Sequence, residues 1–148
     1  MYYDDISIGD SASFEKTIAE TDVYLFAGII GDLNPMHVNE QYAATTMYGT
    51  RVVHGMLSGS LFSTVFGTTL PGQGSIYLSQ TLSFVSPVLI GDTIKATVTA
   101  AEKLEKGRVR FNCVATKQDG TVVVRGEAVL LPPAQSMTPG QHLTAAAA

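Results

Sequence analysis

Apolar residues recur at spacings of three and four in the first half of the chain and of two in the second, and the change falls near residue 75. Residues 10–18 (DSASFEKTI) read as a short strand. In TDVYLFAGIIGD, Val23, Phe26, Ala27 and Ile30 fall at i, i+3, i+4 and i+7, one face of a helix. Thr21 or Asp22 is placed to cap its start, and Gly31 to stop it. A loop over 32–38 follows, and Asn39 is placed to cap a short helix in NEQYAATT. HGMLSGSLFSTVFGTTL then predicts the most apolar helix of the chain. Met56, Leu57, Leu61, Phe62, Val65 and Phe66 cover more than one face, so burial on most sides is expected. PGQG at 71–74 ends it.

Beyond that point the alternation is that of strands. SIYLSQTLSFVSP predicts Ile76, Leu78, Leu82 and Phe84 on one face. DTIKATVTAAEKL does the same for Ile94, Ala96, Val98 and Ala100, and GRVRFNCVATKQ for Val109, Phe111, Cys113 and Ala115. Asp119-Gly120 marks a hairpin turn, and TVVVRGEAVLLP is the last strand. Lys and Arg at alternate positions fit a sheet with one wet face. After Pro132-Pro133 the composition shifts to Pro, Gly, Ser and Gln. Residues 132–148, with His142, are expected to be a disordered tail. Helices first and long antiparallel strands second predict one α+β domain over 1–131, with a buried helix lying across a sheet.

Composition narrows the function. The 148 residues are 45% apolar and 15% charged, with a net charge of −4. That fills a core for one domain and disfavours a general nucleic-acid binder, which needs an excess of Lys and Arg. The single cysteine, Cys113, excludes an internal disulfide and a cysteine zinc site and reads as a small core residue. No signal-peptide pattern opens the sequence and no apolar run is long enough to span a bilayer, so a soluble cytoplasmic protein with no membrane partner is expected.

The chemistry concentrates between residues 31 and 64. In GDLNPMH, Asp32 and His37 lie five residues apart around Asn34 and Pro35, where Pro35 stiffens the turn. Brought to one cavity they form an acid–base pair near neutral pH; otherwise they are an Asx-turn acid and a hydrogen-bonded loop histidine. His54 and Gly55 precede the apolar helix. A glycine amide at a helix start can be approached closely by a substrate oxygen, which is how a backbone oxyanion hole is built. The other reading is a tight turn, with His54 as a structural hydrogen-bonding group. Ser58, Ser60, Ser63 and Thr64 can bond back to helix carbonyls, or one serine can hold the Asp32 carboxylate. No nucleophile elbow is present. An acid, an imidazole and a polarising amide suit addition of water to a double bond conjugated to a carbonyl, or its reversal, with no metal or redox cofactor.

The run GDLNPMHVNEQYAATTMYGTRVVHGMLSGSLFS resembles the MaoC-like dehydratase family and, within it, the (R)-specific enoyl-CoA hydratases. The matching positions are Asp32, Asn34, Pro35, His37, Tyr48, Gly49, Arg51, Val52, His54, Gly55, Met56 and Leu57. Phe84, Pro87, Val88, Gly91 and Asp92 extend the match downstream, and it spans roughly residues 5–131. The resemblance implies a hot-dog fold, a long central helix wrapped by a curved antiparallel sheet, and a homodimer with an acyl-CoA groove near the interface. It implies a hydro-lyase that adds water to trans-2-enoyl-CoA to give (R)-3-hydroxyacyl-CoA, with no cofactor beyond the CoA of the substrate, in fatty-acid or polyhydroxyalkanoate metabolism. Asp32 and His37 take the catalytic positions and Gly55 the oxyanion amide. Ser63 supports the aspartate, and Asn34 and His54 are further supporting residues. Leu57, Leu61, Phe62 and Leu70 are expected to line the acyl pocket. Arg51, Lys95, Lys103 and Arg108 are the cations left open for the CoA phosphates. The alternatives are a dehydratase acting on acyl carrier protein thioesters, a non-catalytic acyl-binding hot-dog subunit, and a thioesterase.

Overall fold

The computed structural model describes residues 1–133; the expected tail beyond Pro133, with His142, lies outside the described residues. Strand β1 (Ser11–Thr17) is followed by helix α1 (Glu20–Ile30), the one-turn helices α2 (Pro35–Val38) and α3 (Glu40–Ala43), and the long helix α4 (Gly55–Thr68). Strands β2 (Ile76–Gln80), β3 (Ser83–Phe84), β4 (Thr93–Lys103), β5 (Val109–Lys117) and β6 (Val122–Leu131) complete the domain. All pairings are antiparallel, in the order β1-β4-β5-β6-β2, with β3 also against β6. This is the expected α+β hot-dog architecture, with α4 as the helix against the sheet.

The period-two reading holds best in the central strands. Ile94, Ala96, Val98 and Ala100 of β4 and Val109, Phe111, Cys113 and Ala115 of β5 are all buried, and Ala96 stands opposite Ala115 and Val98 opposite Cys113. Small residues there let Phe62, Val65 and Phe66 of α4 approach the sheet, and Phe66 meets Phe111 edge to face at 5.2 Å. Burial pushes the Cys113 thiol up to about 11, consistent with an unreactive core residue. The Asp119-Gly120 hairpin forms as predicted, with Gly120 at φ 86°.

Three expectations are corrected. Helix α1 starts one residue before Thr21: Ala19 is the N-cap, and Asp22, in the first turn, accepts the Ala19 N–H at 2.8 Å. A carboxylate reaching back from the first turn does the work of a cap residue. On the α1 face read from the sequence, Val23 and Ala27 are buried, Phe26 is partly buried and Ile30 is exposed. Helix α4 is not buried on most sides within one chain, since Met56, Ser60, Ser63 and Gly67 are exposed. The alternation of residues 76–82 survives a bulge between Tyr77 and Ser79, with Ile76, Leu78 and Leu82 half-buried; Leu82 and Phe84 both lie against α4, at Gly59 and Gly55, although Phe84 itself stays exposed. Gly31 ends α1 at φ 77° and Asn39 caps α3 through the Tyr42 N–H, both as the sequence implies.

The kink after β2 requires one glycine. A Cβ on Gly126 of β6 would stand 1.8 Å from the Thr81 carbonyl oxygen. The close crossing is held by Thr81 N–H to Glu127 O at 2.8 Å and by Glu127 N–H to Thr81 Oγ1 at 3.0 Å.

Candidate active site

The loop read over 32–38 contains a helical turn. Asn34 builds it: its side-chain oxygen accepts the Met36 N–H at 3.2 Å, its carbonyl accepts the His37 N–H at 2.9 Å, and Pro35 occupies the first helical position. The Asn34 N–H donates to Asp32 Oδ1 at 3.1 Å, so one residue fixes both the acid and the histidine. Asp32 keeps a half-exposed side chain, whereas His37 is buried.

His37 Nδ1 lies 2.7 Å from the Val52 carbonyl. A carbonyl can only accept, so Nδ1 carries the proton and the lone pair of the neutral ring is on Nε2. Nε2 stands 4.0 Å from Asp32 Oδ2. That is too long for a direct hydrogen bond, and it is a span that one water can bridge. Val52 is itself fixed, its N–H donating to the Met36 carbonyl at 3.2 Å.

His54 is buried directly behind this pair. Its ring stacks on His37 with centroids 3.8 Å apart and meets Phe26 at 5.4 Å. His54 Nε2 faces the Asp32 backbone carbonyl at 3.0 Å, so it is the protonated nitrogen, and it ties the Asp32 loop to the start of α4. Its Nδ1 is buried without a hydrogen-bond partner. The ligand atoms of Asp32, His37 and His54 fall within 4.8 Å of one another. The stack opposes a shared metal ion, because in-plane lone pairs of stacked rings run side by side rather than converge, and the His54 nitrogen on that side holds its proton.

Gly55 opens α4, and its N–H has no acceptor among the described residues, as expected for the first turn of a helix. The Phe84 ring lies against it: a Cβ at Gly55 would stand 2.8 Å from that ring. A cavity of about 380 Å³ runs from here, lined by Met36, His37, Tyr48, Gly55, Ser58 and Phe84, with Val52, Val53, Val88, Val123 and Val124 forming its apolar wall.

The structure thus brings His37 and Gly55 to one cavity, with Asp32 at the edge of His37. Leu57, Leu61, Phe62 and Leu70, expected along the acyl chain, do not line this cavity. Phe62 and Leu70 belong to the core, and Leu57 and Leu61 also face a smaller groove beside Phe26 and Ile29 of α1. Helix α4 turns Phe62, Val65 and Phe66 to the core and Gly55, Met56 and Ser58 to the cavity. The apolar wall comes instead from β3, β6 and the segments around Val52 and Val88, whose proximity depends on the fold rather than on local spacing. Ser63 is exposed and makes no hydrogen bond to Asp32 within the chain. Among the cations considered for phosphate, none lines the cavity. Arg51 is held by Glu20 at 2.6 Å and Glu40 at 3.0 Å, Lys95 faces Glu15 at 3.4 Å, and Lys103 lies over the Tyr3 ring. Arg51 therefore braces α1 and α3 around the Asp32–His37 loop; it holds Glu20 below the usual carboxylate range, while Glu40 is lowered first by the Thr50 hydroxyl and then by Arg51.

Comparison with known proteins places this geometry. The sequence is 53% identical over 135 residues to an (R)-specific enoyl-CoA hydratase of Rhodospirillum rubrum, covering 90% of this chain and 93% of that protein. It is 43% identical to a 3-hydroxybutyryl-CoA dehydratase of Methylorubrum extorquens, covering 90% and 85%. The fold superimposes on the unliganded R-hydratase PhaJ1 of Pseudomonas aeruginosa with a TM-score of 0.87 and 46% identity, covering 90% of this chain and 86% of that one. The family model described as MaoC like domain matches residues 6–123. With the Asp32–His37 loop, the glycine-opened helix and strands β1 to β5 inside that match, this chain belongs to the MaoC-like domain family.

Proposed function

We propose that the protein is an (R)-specific enoyl-CoA hydratase, a hydro-lyase that adds water reversibly to trans-2-enoyl-CoA and yields (R)-3-hydroxyacyl-CoA. The observation that carries this reading is the fixed tautomer of His37. Its Nδ1–H is committed to Val52, so Nε2 offers a lone pair toward Asp32 at a separation that suits one water. The names of the similar proteins support the same chemistry.

In the mechanism we favour, the enoyl thioester enters the cavity and its carbonyl oxygen accepts a hydrogen bond from the Gly55 N–H. The positive end of α4 adds to this polarisation. Asp32 and His37 both accept from the water, which orients its oxygen on the β-carbon. As the C–O bond forms, the pair takes one water proton and the double-bond electrons move onto the thioester oxygen. That proton is then delivered to the α-carbon as the carbonyl re-forms. Water is the only co-reactant, so the reaction as written calls for no metal or redox cofactor.

A homodimer is part of this reading. Leu25 and Ile29 of α1, Leu33 and Met56 are exposed apolar residues close to the catalytic loop, and a second copy would cover them. No helix among the described residues is long and apolar enough to cross a membrane.

The test is hydration of crotonyl-CoA by the purified protein, followed by loss of the enoyl absorbance and by chiral analysis of the product. (R)-3-hydroxybutyryl-CoA supports the reading. A folded protein inert toward crotonyl-CoA and longer enoyl-CoAs, yet active on the same acyl groups carried by acyl carrier protein, would replace it with the carrier-protein dehydratase. Inertness toward both would leave an acyl-binding subunit, a role that gives no reason for an acid–base pair.

A further inference from the structure

Helix α4 carries two hydroxyl side chains that bond back to its own carbonyls. Ser60 Oγ donates to Leu57 O at 2.6 Å and Thr68 Oγ1 to Thr64 O at 2.7 Å. Ser58 does not. It is 1% exposed, and its Oγ has no hydrogen-bond partner. An unpaired buried hydroxyl is destabilising, and native proteins keep few of them. Nor is its proton given to His54 Nδ1, an acceptor one turn back that is also buried and unpartnered.

Ser58 lines the same cavity as Gly55 and His37. It follows Gly55 by three residues, so the two share one face of α4. A helical Cα–Cβ bond leans toward the N-terminus, which tips the Ser58 hydroxyl back over the turn that Gly55 opens. Two polar groups of the helix therefore stand on one side of the cavity: a backbone N–H without an acceptor and a hydroxyl without a partner.

We propose that Ser58 Oγ–H is a second hydrogen-bond donor to the thioester oxygen of the substrate, acting beside the Gly55 N–H. This rests on the hydratase reading for its substrate. In the reaction the oxygen gains negative charge as the β-carbon is attacked, so a donor placed there strengthens toward the transition state and acts on kcat more than on KM. The hydroxyl's isolation in the free protein is the corollary: it is held unpaired for a ligand atom.

The experiment compares the full-length protein with Ser58→Ala and Ser58→Thr. The readouts are kcat and KM for crotonyl-CoA, the melting temperature, and the infrared carbonyl stretch of bound butyryl-CoA, which has no double bond to hydrate. Loss of one such donor lowers kcat about 100-fold. The expected result for Ser58→Ala is that loss with KM little changed, an unchanged or higher melting temperature, and a carbonyl stretch moved to higher wavenumber. Ser58→Thr keeps the hydroxyl and recovers part of the rate. A folded Ser58→Ala with kcat within about twofold of the parent and an unmoved stretch would overturn the assignment. So would a fall in melting temperature matched by equal losses in both variants, which marks a packing role. If the parent protein fails to hydrate crotonyl-CoA, the hydratase reading falls, and the stretch of the bound thioester still decides whether Ser58 touches it.

Discussion

Replacing Gly126 by alanine tests how the cavity wall is built. The new Cβ would stand 1.8 Å from Thr81 O and 2.8 Å from Thr81 C, both backbone atoms of the crossing strand. Neither can swing aside as a side chain would, so the segment between β2 and β3 must retreat from β6 by roughly an ångström or more, at an over-packing cost of about 1–3 kcal/mol. The two hydrogen bonds that hold the crossing, Thr81 N–H to Glu127 O and Glu127 N–H to Thr81 Oγ1, are lost or stretched, at about 1 kcal/mol each. Together these give about 3–5 kcal/mol, which in a domain of this size lowers the melting temperature by about 10–15 °C. The assay is thermal unfolding by circular dichroism, with Gly67→Ala as the control, since a Cβ at Gly67 meets nothing within 4 Å. That control is expected to be neutral or slightly stabilising in a helix. The displaced segment leads into Phe84, which covers Gly55, so enoyl-CoA turnover should fall more steeply than the folded fraction alone explains. A Gly126→Ala protein melting within about 3 °C of the parent would refute the reasoning, because it would mean that the crossing yields without cost.

Two further outcomes are expected. Asp32→Asn and His37→Gln should each lower kcat by about 100-fold or more while melting temperature and circular dichroism stay near the parent values; near-normal turnover in either would remove the acid–base assignment. Asp92 is largely buried against Lys117 at 2.8 Å; burial opposes its ionisation, yet the Lys117 ammonium, the Leu89 N–H and the Gln118 amide outweigh it and hold the carboxyl below its ordinary 3.8. A carboxyl depressed in the folded state gives stability that is fully present above the unfolded value and lost as pH falls through the folded one. Asp92→Asn should therefore cost about 2–3 kcal/mol at pH 7, having left Lys117 unpaired, and melting curves of parent and variant should converge below about pH 4; a gap that stays constant down to pH 2 would contradict this.

Much of the arrangement was legible in the residues because it is local. The acid and the histidine sit on one turn that Asn34 and Pro35 define, and Gly55 is marked by its place before an apolar helix. The central strands announce themselves by alternation, since both neighbours of each are present and one face is buried. What could not be read is where non-local segments meet. The pocket wall from Val52, Val88 and Val123 depends on three segments distant in sequence. Leu57, Leu61, Phe62 and Leu70 were apolar and nearby in sequence, yet the turn of about 100° per helical residue sends the first three elsewhere and Leu70 lies past the end of the helix. The parity count places Leu82 and Phe84 together against α4, but it gives no sign that Phe84 lies at the cavity mouth and stays exposed. Ser58 stood among several helix hydroxyls, and only its missing partner in the folded chain separates it from Ser60.

The order of strands in the sheet has a bearing on how the protein is made. Strand β1 pairs with β4, and β6, the last of the described strands along the chain, fills the place between β5 and β2 while giving Val123 and Val124 to the cavity. On the ribosome, Asp32, His37 and Gly55 emerge long before these walls exist, and Phe62 and Phe66 have no sheet to pack on until β4 to β6 follow. Pairings so far apart in sequence close slowly, and the waiting helix is a sticky surface in the meantime. A chain stopped short of β6 is thus not a smaller enzyme but an open sheet with a bare helix, and the yield of soluble protein should depend on growth temperature and chaperone supply more than its finished stability would suggest.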